Sequence, residues 1–99
     1  MNAPFDLLPT TVQYFITTDV DPGAISRVVE LFALRGITPN SLKVHQYKKT
    51  SLIHEKLSID IRISDLSEAE QNVIFQKLQA QVCVQTVRKE VVFKNIKAA

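Results

Sequence analysis

The most regular pattern in the chain lies at residues 56–63. Leu57, Ile59, Ile61 and Ile63 fall on one side, and Lys56, Ser58, Asp60 and Arg62 on the other. A period of two with one apolar face predicts a half-buried strand, one side on helices and the other toward water or a partner. Thr11–Thr18 (TVQYFITT) is rich in β-branched and aromatic residues and is bounded by Pro9 and a DVDPG turn, which predicts another strand. Its faces are Val12, Tyr14 and Ile16 against Gln13, Phe15 and Thr17. Ser41–Lys49 also alternates, with Leu42 and Val44 inward and Lys43, His45 and Tyr47 outward, and a turn follows at Thr50-Ser51.

The spacing changes between these strands. Ile25, Val28, Val29 and Phe32 fall at i, i+3, i+4 and i+7, which predicts an amphipathic helix over Pro22–Arg35. Asp21 is placed to cap that helix with its carboxylate, and Pro22 suits a first helical position. Gly23 permits close approach to the backbone at the helix start, and Gly36 supplies the left-handed residue that ends many helices. Leu31 and Leu34 sit off the stripe, adjacent to each other on the helix surface.

Ser67-Glu68-Ala69-Glu70 has the form of a capping box and opens a second helix running to Ala80, with Val73, Ile74, Lys77 and Leu78 inward. A last strand spans Val82–Val92. Residues 1–9 (MNAPFDLLP) form an arm without a period, residues 10–93 the domain, and residues 94–99 (KNIKAA) a basic tail. The arm is expected either to be loose or to lie along a neighbouring surface, where Phe5, Leu7 and Leu8 would anchor it.

Strand, helix, strand, strand, helix, strand is an α+β order. Two right-handed strand-helix-strand units interleave most simply as a ferredoxin-like βαββαβ sandwich, a four-stranded antiparallel sheet with two helices on one face. The first and third strands would be central and Ser41–Lys49 an edge.

Composition narrows the function. With 99 residues the chain is one domain, and a hydrophobic fraction of 45% supplies a core. So short a domain buries a limited share of its surface, which favours oligomerisation. A net charge of +2 is not the footprint of a nucleic-acid binder. No apolar run approaches the roughly 20 residues that span a bilayer, and the N-terminus lacks the form of a signal peptide, so the cytoplasm is expected. Cys83, the single cysteine, reads as a small buried hydrophobe.

No catalytic constellation emerges. Gly23 and Gly36 are the only glycines, so there is no phosphate loop. His45, His54 and Cys83 lack metal-ligand spacing, and neither metal nor cofactor is expected. His45 and His54 flank the hairpin turn and are expected across from each other, either as exposed polar residues or as a pH-sensitive dimer contact. Two binding features remain. The helix start at Gly23, Ala24 and Ile25 favours a carboxylate, such as that of an amino acid, although the same residues also make an ordinary capped helix. The edge strand Ser41–Lys49 could pair with a second copy, although Lys43, Lys48 and Lys49 could equally prevent edge pairing.

The run GAISRVVELFALRGI from Gly23 to Ile37, followed by Ser41-Leu42, resembles the ACT domain of acetolactate synthase small regulatory subunits, of the short single-domain type. The likeness is dense there and looser downstream. It implies a non-catalytic regulatory subunit, a homodimer that engages the large catalytic subunit of an amino-acid biosynthetic enzyme, acetolactate synthase, with a branched-chain amino acid as effector. It places the ligand at Val20, Asp21, Gly23, Ala24, Ile25 and Thr38, and the dimer interface at Leu31, Leu34, Leu42, Lys43, Val44 and His45. The family has asparagines where this chain has Val20 and Thr38, which implies weakened feedback. The alternative is a stand-alone ACT homodimer that associates or senses a small molecule with a different partner.

Overall fold

The computed structural model describes residues 10–93. Its elements are β1 (Thr10–Thr18), α1 (Ala24–Leu34), β2 (Ser41–Tyr47), β3 (Lys56–Ser64), α2 (Glu68–Gln79) and β4 (Val84–Phe93). They form one antiparallel sheet in the order β2-β3-β1-β4, the ferredoxin-like arrangement expected from the element order. β1 and β3 are central, and β2 is an edge.

Alternation puts one face of each central strand into the core. Val12, Tyr14 and Ile16 of β1 lie beside Ile63, Ile61 and Ile59 of β3 in register, and all six are buried. Val28 and Phe32 of α1 and Ile74 and Leu78 of α2 close over them, so both helices lie on the same side. Each such side chain contributes roughly 1.5–3 kcal/mol by leaving water. Tyr14 and Phe32 meet edge to face with ring centroids 6.0 Å apart. The Tyr14 hydroxyl donates to the Gln71 carbonyl at 2.7 Å, so the ring's polar end is satisfied inside the core.

The opposite face of the sheet is polar. Arg88 lies over the Phe15 ring and pairs with Glu90, and Arg62 donates to Gln13. Lys56 lies over Tyr47, whose ring meets His45 edge-on. Such a face suits water rather than a second layer.

The helix ends explain how the elements are held. Gly36 has φ +72°, and its N–H and that of Ile37 return to the carbonyls of Ala33 and Phe32, a complete left-handed stop. The start of α1 differs from the sequence expectation. Pro22 and Gly23 remain in a turn and the helix begins at Ala24, because the Asp21 carboxylate accepts from the Gly23 N–H and the Asp21 carbonyl from Ala24. The buried stripe is Ala24, Val28 and Phe32, and Leu31, expected off the stripe, packs partly against the core.

Half of the predicted capping box forms in α2. Ser67 accepts from the Glu70 N–H at 3.1 Å, but the Glu70 carboxylate turns away to pair with Arg35 beyond the end of α1. That pairing holds the Glu70 carboxyl below the usual range and raises the Arg35 guanidinium. Lys77 is exposed, not inward, and Gln71 takes a buried place with its amide donating to the Leu66 carbonyl.

The β2–β3 connection is longer than a tight turn. β2 stops at Tyr47 and β3 starts at Lys56, with Thr50 accepting from the Leu52 and Ile53 N–H groups between them. His45 faces Ser58, while His54 lies in the connection outside the ladder, so the two histidines do not pair across the hairpin.

Candidate functional site

The DVDPG turn leaves β1 beside the α2–β4 connection. The Asp19 N–H donates to the Cys83 carbonyl at 2.9 Å and ties the two turns together. A register shift between β1 and β4 at Thr17/Thr18 leaves Gln85 as the extra residue, and its amide donates to the Asp19 carboxylate at 2.6 Å. Below this strap, Cys83 is buried against Ala24 and Leu57, the small buried hydrophobe expected from the sequence.

Above it lies a groove of about 520 Å³ lined by Asp19, Asp21, Arg27, Gln81, Val82 and Cys83. Arg27 reaches back over the turn and pairs with Asp21 at 2.8 Å. The guanidinium passes close over Gly23, where a Cβ would stand 3.1 Å from Arg27 Nη1. The close approach foreseen at Gly23 is therefore made by the chain's own arginine. The Gly23 N–H, followed by Arg27, holds the Asp21 carboxyl below its usual range, and the hydrogen bond that Arg27 donates to Asp21 raises its guanidinium.

The residues singled out in the sequence for a ligand divide into two groups. Val20, Asp21, Gly23, Ala24 and Ile25 come together at this turn, with Val20 exposed, Ala24 buried and Ile25 packed between both apolar clusters. The N–H groups of Gly23 and Ala24, read as free for a carboxylate, are both bonded to Asp21. Thr38 lies past the far end of α1, so within one chain it does not reach the turn. Arg27, Asp19, Gln81 and Val82 were not foreseen as groove residues. The four-residue step from Gly23 to Arg27 on a helix was a legible signal, but the approach of the α2–β4 turn was not.

The second set of candidates lies along β2. Leu42 and Val44 project to the helix side but remain 44% and 41% exposed, and Leu34 near the end of α1 is 77% exposed. Lys43 and His45 project to the polar side, opposite Asp60 and Ser58. Among the described residues, no group of three or more histidine, cysteine or acidic side chains could hold a metal ion. No helix among them is long and apolar enough to cross a membrane.

The architecture is that of a ferredoxin-like α+β domain with one helix-covered face and with β2 and β4 as the two edges of its sheet. Residues 8–96 match the model of the ACT-like domain, and the chain belongs to that family. Its fold is similar to the ACT domain from the GTP pyrophosphokinase of Chlorobium tepidum, with a TM-score of 0.65 at 11% identity over 83% of this chain and 86% of that one. It is similar to part of a homoserine dehydrogenase from Thiobacillus denitrificans, with a TM-score of 0.60 at 15% identity over 92% of this chain and 19% of that one. The GlnK–ATP complex of B. subtilis also shares the fold, with a TM-score of 0.54 at 14% identity over 84% and 82% of the two chains. No curated protein matches the chain.

Proposed function

We propose that this protein is a non-catalytic ACT-type regulatory subunit in the cytoplasm, a homodimer joined along β2 that engages the large catalytic subunit of an amino-acid biosynthetic enzyme. Acetolactate synthase is the partner favoured by the GAISRVVELFALRGI run. The observation that carries the reading is the unfinished edge at β2. Leu42 and Val44 stand half-uncovered on the helix side, with Leu34 exposed near the end of α1. A second copy paired antiparallel along β2 would make an eight-stranded sheet, cover these side chains and leave both polar faces in water. The same reversal would carry the second copy's Thr38 toward the end of the sheet that holds the first copy's Asp21 turn. An amino-acid effector bound near that turn would then bias the partner's activity, weakly, since Val20 offers it no polar contact.

Light scattering at micromolar concentration tests the dimer, and co-purification with the acetolactate synthase large subunit tests the partner. A monomer, or a large subunit whose activity and recovery ignore this chain, would defeat the corresponding half. Val20, which cannot replace the family's asparagine, and Thr38, which replaces the other only in part, favour one second reading, a stand-alone ACT homodimer acting on a different enzyme. Recovery of another enzyme in stoichiometric complex, with none of the large subunit, would select it.

A further inference from the structure

The β2–β3 connection, residues 48–55, presents an aliphatic tip on a basic stem. Leu52 is 92% exposed and Ile53 46%, yet the backbone that carries them is tied down. The Thr50 hydroxyl accepts from the N–H groups of both, and the Thr50 N–H donates to the Ile53 carbonyl at 2.8 Å. These bonds fold the loop back on Thr50 and hold Leu52 outward. A recess of about 330 Å³ beside it, lined by residues 52–56 and Gln85, leaves room around the tip. Lys48, Lys49 and Lys56 flank it against one acid, Glu55, a formal charge of +2. That equals the net charge of the whole chain, so acidic and basic residues balance elsewhere and the positive excess sits on this loop.

We infer that this loop is the contact by which the chain engages its partner enzyme. Leu52 enters an apolar pocket on that protein whose rim carries aspartate or glutamate, and Lys48, Lys49 and Lys56 meet the rim. A leucine gains only where it leaves water, and lysines gain only where carboxylates are near; an apolar anchor inside a charged rim satisfies both. A membrane would satisfy the charges but not the anchor. Even a single myristoyl chain binds a bilayer only marginally, and Leu52 with part of Ile53 buries far less. Nucleic acid would leave the leucine without a use, since residues 48–56 hold no Phe, Tyr or Trp to stack on a base. The β2–β3 ladder ends at Tyr47 opposite Lys56, so the tip lies outside the strand pairing and is distinct from Leu42 and Val44 on the β2 edge. This inference rests on the partner half of the regulatory reading and gives that contact its place on the chain.

The test is calorimetric titration of the purified acetolactate synthase large subunit with the full chain and its variants. Leu52→Asp should weaken binding at least tenfold, with the circular dichroism spectrum and the light-scattering mass unchanged. Lys48→Glu combined with Lys49→Glu should weaken it at about 50 mM sodium chloride, and the gap from wild type should narrow toward about 500 mM as the charges are screened. Val82→Asp, at a side chain 99% exposed but outside the loop, should bind like the wild type. The inference fails if Leu52→Asp binds within about twofold of the wild type, or if Val82→Asp loses as much as Leu52→Asp. It fails too if Leu52→Asp dissociates the dimer, which would assign the tip to a second copy. Vesicles containing about one-third phosphatidylserine that bind the wild type but not Leu52→Asp would assign it to a membrane, and would also overturn the inference. While the wild-type chain still binds the large subunit, the regulatory reading survives each of these results. A large subunit that ignores the wild-type chain defeats that reading, and this inference with it.

Discussion

Replacing Tyr14 by Phe removes one oxygen from the centre of the core and keeps the ring. The Tyr14 ring is fully buried, and its hydroxyl donates at 2.7 Å to the Gln71 carbonyl. That carbonyl lies within α2 and keeps its place in the helical ladder, so the variant leaves no orphaned partner. The expected loss at pH 7 is therefore that of one intramolecular hydrogen bond, about 1 kcal/mol. For a domain of this size it lowers Tm by about 4–8 °C.

The alkaline behaviour carries the sharper expectation. Burial first, and the Glu70 charge second, push the Tyr14 hydroxyl well above its ordinary value of 10.0. A raised folded-state value means that the stabilisation is complete below the unfolded value and is lost as pH rises beyond it. In the unfolded chain the phenol ionises near pH 10, so each further pH unit costs the fold about 1.4 kcal/mol until the buried group itself gives way. The advantage of wild type over Tyr14→Phe should thus fall from about 1 kcal/mol at pH 7 to about zero near pH 11. Urea unfolding of both proteins across that range measures it, and titration of the lysines cancels in the difference. A gap that stays constant from pH 7 to pH 11 would refute the protonated, buried hydroxyl.

Phe32→Ala removes a fully buried ring from against Tyr14 and should cost about 3–5 kcal/mol in urea melts, most of what a domain of this size has to spare. Gly36→Ala should cost about 1–2 kcal/mol, since φ is +72° and the new Cβ would meet nothing, while Gly36→Asn should recover much of it. Val44→Lys should convert the proposed dimer to a folded monomer by light scattering, and a dimer that survives would place the contact elsewhere. The support that Asp21 lends to the start of α1 is present at neutral pH and should fade as pH falls below the ordinary carboxylate range, because its folded-state value is lowered. Loss of helical signal from wild type but not from Asp21→Asn between pH 5 and pH 2 would show it.

Local signals carried the fold, and long-range ones escaped. The alternation at Leu57–Ile63 and the stop at Gly36 state their geometry within a few residues, and both form as read. The Glu70 carboxylate was assigned to Ser67, three residues away, yet it goes to Arg35 on another helix, which no local spacing encodes. Lys77 was assigned to the core side of α2, but the buried stripe runs through Gln71, Ile74 and Leu78 and leaves Lys77 exposed. At the candidate site, the turn residues Val20 to Ile25 were legible because they are contiguous. The groove was not, because half of it comes from Gln81, Val82 and Cys83, brought there by the pairing of β4 with β1.

That pairing also bears on how the chain folds as it is made. β1 is translated first of the four strands, yet it sits in the middle of the sheet, with Thr11 opposite Ser64 on one side and Val92 on the other. Both of its hydrogen-bonding edges wait for strands that arrive later, and the last of them closes a loop nearly as long as the domain. Folding should be slow for a domain of this size, governed by bringing distant segments together rather than by helix formation. Until β4 emerges, TVQYFITT is an apolar strand with an open side, the segment most in need of protection on the ribosome.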